Sequence, residues 1–221
     1  MLAEQFAQFG DLAPKIGIKR KNELELLERH FVLLKEWNER IGLVSRKSID
    51  KSAISHYLDS INIVDFSERW RGSDQVLELG SGAGFPGAIY AIRYPGAQVR
   101  LYEKMLKKQS FLTAMSTQLA LENVSVAGDF PSKISRSLIV ARAVLPPTDL
   151  FEFMAKRMET GCKLMVNLGG KSEPVKTPKE FSLLSQIKYE LPGDSGNRIA
   201  MCFEYVPRET KKGEIVPCGT F

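Results

Sequence analysis

The chain has 221 residues, of which 43% are hydrophobic and 26% charged, and its formal net charge is +5. This length suits one domain, or one domain with an extension, and the composition excludes a disordered tail, a fibre and a disulfide mini-protein. No apolar run approaches the ~18 residues of a membrane span. Three unclustered cysteines and two histidines argue against a metal site. Without a secretory signal at the start of the chain, we expect a reduced, cytoplasmic protein with a mild bias toward anionic partners.

The N-terminal third predicts two helices. Apolar residues recur at steps of three and four over positions 22 to 41, which is the stripe of one amphipathic helix: Leu24, Leu27, Phe31, Leu34, Trp37 and Ile41. Gly42 is a suitable stop. A second helix is predicted from Ile49 to Trp70, so residues 1–72 are expected to form a helical extension.

From Asp74 onward, short apolar runs alternate with longer helical segments. Strands are predicted at 75–79, 98–102, 124–127, 138–141 and 163–168, and helices at 85–94, 104–121 and 148–158. This alternation predicts a parallel sheet with helices on both faces.

The end of the chain breaks that alternation. The apolar segments 181–191 and 199–206 are separated by PGDSGN, which is too short for a crossover helix, so a final antiparallel hairpin is expected. The resulting α/β, Rossmann-like sheet has the layout of class I methyltransferases. It would occupy residues 73–206 and leave 207–221 as a C-terminal tail.

The most informative stretch is Val76–Gly87, VLELGSGAGFPG, in which a strand ends near an acidic residue and a glycine-rich turn opens a helix. Gly80, Gly82 and Gly84 allow a tight turn and a close approach to a ligand. The turn is the first connection from strand to helix, and open α/β sheets bind their ligands at the carboxyl ends of the strands.

Two cofactors compete for this turn, and a turn without any ligand is a third interpretation. Residues 82–87 match the dinucleotide pattern GxGxxG, which is weak evidence alone. Pro86 disfavours a dinucleotide because it removes a backbone N–H that would face the pyrophosphate. Glu78 disfavours it as well, since a carboxylate repels a pyrophosphate but suits the cationic methionine end of S-adenosylmethionine. Glu103, after the second strand, can accept hydrogen bonds from both ribose hydroxyls of either cofactor.

The loop GSGAGFPG resembles that of the RsmG (GidB) family of bacterial 16S ribosomal RNA guanine-N7 methyltransferases. Three further segments are similar to family motifs in the same order: SHYLDS at 55–60 to HFLDS, VARA at 140–143 to SRA, and PGDSGNR at 192–198 to a PG…ER hairpin. The resemblance covers residues 20–206. It implies S-adenosylmethionine as methyl donor and a guanine N7 as acceptor. We expect a monomer that acts on 16S ribosomal RNA or the small ribosomal subunit.

The resemblance also implies roles for individual residues. The cofactor-binding candidates are Glu78, Gly80, Gly82, Gly84, Phe85, Glu103, Asp129 and Arg142. The catalytic candidates are Arg142, Arg198 and Lys171, and the candidates for RNA phosphate contacts are Lys104, Lys107 and Lys108. No general base is required, because guanine N7 has a free lone pair and catalysis rests on alignment and charge.

Most of these candidates have a purely structural alternative. Arg142 can form an ion pair within the fold, and Arg198 can be an exposed turn residue. Phe85 can serve core packing, and the lysines can be a solvated helix face. His56 can orient the loop beneath the cofactor or be a core histidine held by Asp59.

Three segments depart from the family pattern. The lysine after the fifth strand is displaced to Lys171, the segment before SHYLDS lacks its asparagine, and Arg136-Ser137 replaces an aromatic–aspartate pair. A divergent methyltransferase acting on another RNA or a small molecule is therefore the first alternative. A non-catalytic RNA- or ribosome-binding protein is the second.

Overall fold

The structure is a computed structural model that describes residues 17, 21–45, 53–72, 75–169, 176–191 and 194–207. Its N-terminal part consists of helix α1, Lys21–Ile41, and helix α2, Ala53–Arg71. Both predicted helices are confirmed over the described residues. Gly42 follows α1 with φ +60°, a left-handed conformation that suits a glycine at a helix end.

Seven strands form one sheet in the order β3-β2-β1-β4-β5-β7-β6. The strands are β1 Gln75–Leu79, β2 Val99–Tyr102, β3 Val124–Ala127, β4 Ser137–Arg142, β5 Lys163–Leu168, β6 Phe181–Leu191 and β7 Asp194–Tyr205. β1 to β5 pair in parallel, and β7 is antiparallel to both of its neighbours. The predicted parallel sheet with an antiparallel final hairpin is confirmed.

Three helices lie among the parallel strands: α3 Gly87–Arg93, α4 Leu106–Gln118 and α5 Pro147–Ala155. The main difference from prediction is the start of β7. It begins at Asp194, whereas the apolar pattern predicts a start at Ile199. Because β6 and β7 pair through backbone groups, polar residues can extend the ladder beyond the apolar segment that the sequence reveals.

The core has one layer on each face of the sheet, because side chains alternate along every strand. Val76, Val140 and Met165 belong to one layer, which also holds side chains of α1 to α4. Leu77 and Ile139 belong to the other layer, which holds side chains of α5. The helices of the N-terminal extension therefore share a core with the predicted methyltransferase domain.

None of the helices in the described residues is both long and apolar enough to cross a membrane. Cys162 and Cys202 are buried, whereas Cys218 and the rest of the predicted tail after Pro207 lie outside the described residues.

Candidate active site

The glycine-rich turn follows β1 and lies at the carboxyl edge of the sheet. The φ angles of its glycines are +73° at Gly80, +53° at Gly82 and +82° at Gly84. Residues other than glycine rarely adopt this backbone conformation. A Cβ atom on Gly80 would also stand 2.5 Å from Cγ2 of Val144. The backbone N–H groups of Gly80 and Ser81 both donate to the carbonyl of Tyr102, which ties the turn to the end of β2.

Glu78 is a buried carboxyl group directly beneath this turn. Its side-chain Oε1 accepts a hydrogen bond from the Gly87 N–H at 2.9 Å, whereas Oε2 has no hydrogen-bond partner among the described residues. Burial raises the pKa of Glu78 to about 7, and hydrogen bonding and the charge of Arg142 only partly oppose it. The site therefore holds a buried acid with one oxygen that lacks a hydrogen-bond partner among the described residues, and a cation would stabilise its charged form.

Glu103 lies just after β2, and its carboxylate faces the glycine-rich turn. Oε2 accepts a hydrogen bond from the Gly82 N–H at 3.0 Å, and Oε1 accepts one from the Met105 N–H at 2.9 Å. Each oxygen keeps a second lone pair for a hydroxyl donor. Asp129 is exposed after β3, at the same edge of the sheet. The structure thus brings together the carboxylates and glycines that the sequence selects for cofactor binding.

Arg142 ends β4 and is held by side chains of α2. Its Nη1 lies 3.3 Å from Oδ2 of Asp59 and donates to the Ser60 hydroxyl at 3.2 Å. Its Nη2 donates to Nδ1 of His56 at 2.8 Å, and its guanidinium carbon lies 5.7 Å from the centre of the Phe85 ring. Burial lowers the pKa of Arg142, while Asp59 and Glu78 oppose that shift. The ion pair of the structural alternative is therefore present.

Asp59 anchors this group of side chains. Besides Arg142, it accepts hydrogen bonds at Oδ1 from the Tyr189 hydroxyl at 2.7 Å and from the Asn167 side chain at 3.3 Å. It thereby links α2 to β4, β5 and β6. Asp59 holds Arg142 directly, and it does not hold His56 as the sequence-based alternative suggests.

His56 is a neutral histidine with a defined tautomer. Because an arginine can only donate, Nδ1 of His56 accepts and its proton resides on Nε2. That Nε2 has no hydrogen-bond partner among the described residues. Burial, together with the charge of Arg142, lowers the pKa of His56 to about 4. The imidazole ring stacks on Phe85 with 5.5 Å between the ring centres.

Phe85 lies in an aromatic cluster beneath the turn. It is 7% exposed, and its ring makes edge-on contacts with His30 and Tyr57 at centre distances of 5.3 and 5.0 Å. These contacts match the core-packing alternative, and any contact between Phe85 and a cofactor stays a prediction.

Of the remaining candidates, the structure describes Arg198 and three lysines. Arg198 lies on β7 and its side chain reaches Gly169, which follows β5. Its Nη1 would stand 3.9 Å from a Cβ atom built on Gly169. Its charge helps to lower the pKa of His56, which places it near the Arg142 group. Lys104 and Lys107 are exposed and Lys108 is half-buried at the start of α4. Lys171 lies outside the described residues.

Several residues of the site were not predicted from the sequence. His30 and Tyr57 contact the underside of the turn, and Asn167 and Tyr189 complete the environment of Asp59. The only signal for His30 is a polar residue beside Phe31 in the apolar stripe of α1.

A family model described as rRNA small subunit methyltransferase G (GidB) matches residues 23–199. The chain belongs to this family. It is 28% identical over 207 residues to ribosomal RNA small subunit methyltransferase G of Lachnoclostridium phytofermentans, covering 87% of this chain and 85% of that protein. It is 30% identical over 196 residues to the protein of the same name from Bradyrhizobium diazoefficiens, covering 83% of this chain and 72% of the relative. The predicted family is confirmed.

The fold is also that of known methyltransferases. Magnesium protoporphyrin IX methyltransferase from Synechocystis, solved with bound S-adenosylhomocysteine, superposes with a TM-score of 0.55 at 10% identity, covering 80% of this chain and 99% of that chain. By fold and family, this protein is a methyltransferase of the class that uses S-adenosylmethionine. Its residues fit that cofactor, because Oε2 of Glu78 is buried without a hydrogen-bond partner among the described residues, and a Cβ on Gly82 would meet no protein atom closer than 3.9 Å.

Proposed function

We propose that this protein methylates N7 of a guanine in 16S ribosomal RNA. The observation that carries the proposal is the placement of Arg142 beside the cofactor turn. The guanidinium lies at the end of β4, with its central carbon 5.7 Å from the centre of the Phe85 ring in the turn. A base that approaches this group would meet a cationic donor next to the carboxylates that suit S-adenosylmethionine.

We assign the cofactor contacts by chemistry. Oε2 of Glu78 would face the cationic methionine end. Glu103 would accept hydrogen bonds from the ribose hydroxyls, and Asp129 would accept one from the adenine amine. Gly80, Gly82 and Gly84 would let the backbone approach, and Phe85 would support the turn. When bound, S-adenosylmethionine supplies an electrophilic methyl group on a sulfonium.

The acceptor side would be organised by positive charge. Arg142 and Arg198 can donate to O6 of the guanine or to a neighbouring phosphate, which would leave the N7 lone pair directed at the methyl group. We include Lys171 as a third cationic candidate because it follows β5 in sequence. No side chain has to remove a proton from N7, so the reaction depends on alignment and charge.

The lysines at the start of α4 would contact RNA phosphates. Lys104 and Lys107 are exposed, and α4 itself contains no acidic residue that would repel a phosphate. Since N7 lies on the major-groove edge of the base, the target guanine would be unstacked or in a loop. We expect the protein to act as a monomer, in the cytoplasm, on 16S RNA or on the small subunit.

The decisive experiment offers labelled S-adenosylmethionine with naked 16S RNA, purified small subunits, and a small-molecule extract, and then maps the labelled nucleotide. We expect the label on N7 of one guanine, and chemistry that is specific for 7-methylguanine should remove the labelled base. Label only in the small-molecule fraction would replace this proposal with a small-molecule substrate. Tight cofactor binding without any transfer would identify a non-catalytic binding protein.

A further inference from the structure

His30 joins the N-terminal extension to the glycine-rich turn. The residue lies in α1 and is fully buried, with an exposed fraction of 0%. Its Nε2 lies 3.2 Å from the carbonyl oxygen of Ala83, which is the residue between Gly82 and Gly84. Its Nδ1 lies 2.7 Å from the hydroxyl of Tyr57 in α2.

The partners define which nitrogen carries the proton. A carbonyl oxygen only accepts, so Nε2–H of His30 donates to Ala83 and Nδ1 accepts from the Tyr57 hydroxyl. Burial lowers the pKa of His30 to about 4, so the imidazole stays neutral and keeps this tautomer near neutral pH. Edge-on contacts with Phe85 and Phe111 hold the plane of the ring.

The turn needs support of this kind because its glycines are intrinsically mobile. Three glycines between positions 80 and 84 raise the conformational entropy that is lost when the turn is ordered. Within the turn, the Gly84 N–H donates to the Ser81 carbonyl at 2.7 Å. The bond from His30 comes from outside the turn and fixes the Ala83 carbonyl on the side of the N-terminal helices.

We propose that His30 is a positioning residue that holds the glycine-rich turn in its cofactor-binding shape, with Tyr57 fixing its tautomer. The N-terminal extension would thus tune cofactor affinity through the shape of the turn. A turn that is ordered before binding loses less entropy when the ligand arrives, so this bond strengthens cofactor binding. The activity readout rests on the proposed function, whereas the binding and exchange readouts require only the apo protein and its cofactor.

The test compares three variants by calorimetry with S-adenosylmethionine and S-adenosylhomocysteine. His30→Phe keeps a buried ring but removes both nitrogens, and we expect about tenfold weaker binding. His30→Gln keeps an amide donor for Ala83 and should restore part of the affinity. Tyr57→Phe leaves the donor but frees the tautomer, so it should give an intermediate loss.

Leu34→Ala is the control for stability alone. Leu34 is a buried residue of the same helix that lacks a polar side chain, so its truncation lowers the melting temperature without removing the bond to Ala83. At temperatures that match the loss of stability, Leu34→Ala should bind the cofactor like the wild type. In methyl transfer, His30→Phe should raise KM for S-adenosylmethionine while kcat and KM for RNA stay within about twofold.

Hydrogen exchange of the apo protein gives a readout independent of activity. We expect His30→Phe to speed exchange of the Gly84 and Ala88 amides, which are bonded to Ser81 and Gly84. Unchanged affinity and exchange in His30→Phe, or losses equal to those in Leu34→Ala, would overturn the positioning role. Failure of the wild type to bind the cofactor at all would instead overturn the cofactor assignment.

Discussion

Glu78 is an acid whose ionisation is strongly altered by the fold. Its folded pKa is about 7 against an ordinary 4.5, because the carboxyl group is buried. The native state therefore binds more protons than the unfolded state between these values. The stability that Glu78 contributes is complete below pH 4.5 and is lost as the pH rises through 7.

We expect this loss to reach on the order of 3 kcal/mol by pH 8. It should appear as the difference in free energy of unfolding between wild type and Glu78→Gln, measured by urea denaturation from pH 5 to 8. The comparison with Glu78→Gln cancels the titration of the two histidines, which acts on the acid side. A difference that is independent of pH would show that Glu78 is ionised throughout this range.

Asp59 gives a second prediction at the scale of one residue. Asp59→Asn keeps the shape of the side chain but leaves the buried guanidinium of Arg142 without its counter-charge. We expect a loss of roughly 3 kcal/mol in the free energy of unfolding. Methyl transfer should fall at least about tenfold because Arg142 is no longer held at the end of β4.

The affinity for S-adenosylmethionine should stay within about twofold in Asp59→Asn, since we assign Arg142, the partner of Asp59, to the acceptor rather than to the cofactor. Single-turnover transfer and calorimetry, both well below the unfolding temperature, separate these effects. Glu152→Gln is the matched control, because Glu152 pairs with Lys156 on the surface and should leave transfer unchanged. An equal rate in wild type and Asp59→Asn would rule out this role.

At the scale of elements, the junction of β1 and α3 depends on Gly87. A Cβ atom at this position would stand 2.4 Å from Oε2 of Glu78 and 2.4 Å from Cδ2 of Leu101. Helix α3 can therefore approach the sheet this closely only without a side chain at its first residue. That approach also brings the Gly87 N–H within hydrogen-bond distance of Glu78.

Gly87→Ala should destabilise the fold by about 1–3 kcal/mol and weaken S-adenosylmethionine binding, because Glu78 has to move. Gly96→Ala is the control, since a Cβ there meets no atom within 4 Å and its effect should stay within about 0.5 kcal/mol. Urea denaturation and calorimetry measure the two effects. Equal results for the two variants would contradict this explanation of Gly87.

The elements were largely predictable, and the contacts between them were not. The parallel strands were predictable as short apolar runs, because they are buried on both faces. Most helix ends were predictable within a few residues, because burial of one face of a helix produces a periodic pattern. The partners of His30 lie 27 and 53 residues away, at Tyr57 and Ala83. Nothing in a periodic pattern says how α1 is turned relative to the glycine loop, so that bond requires the packed structure. The positions of Glu78 and Glu103 were predictable, because Glu78 is the penultimate residue of β1 and Glu103 directly follows β2.

For the whole molecule, the shared core crosses the predicted boundary near residue 72, because it contains residues from both sides of that position. Side chains of α1 and α2 pack with those of α3 and α4. In addition, Nη1 of Arg93 in α3 lies 2.6 Å from Oε1 of Glu23 in α1, and Arg93 also forms an ion pair with Asp65 in α2. We therefore expect the extension and the sheet to unfold together. Folding of residues 73–221 alone would leave one face of the sheet partly uncovered.

Tryptophan fluorescence tests this cooperativity, because both tryptophans of the chain, Trp37 and Trp70, lie in the N-terminal helices. We expect the urea transition followed by fluorescence to coincide with the one followed by far-ultraviolet circular dichroism, which reports the whole chain. A fluorescence midpoint at lower urea would show that the extension unfolds on its own. Purified residues 73–221 should fail to bind S-adenosylmethionine.

The shared core also governs the order in which the chain can mature during synthesis. Helices α1 and α2 leave the ribosome before the strands and helices that cover their apolar faces, which extend to Leu119 and beyond. Until those segments emerge, the faces remain open to water and to other nascent chains. A pause in translation before Leu119 would therefore prolong an aggregation-prone intermediate. Complete cover of these faces also requires β7, because Ala200 and Cys202 belong to the same layer.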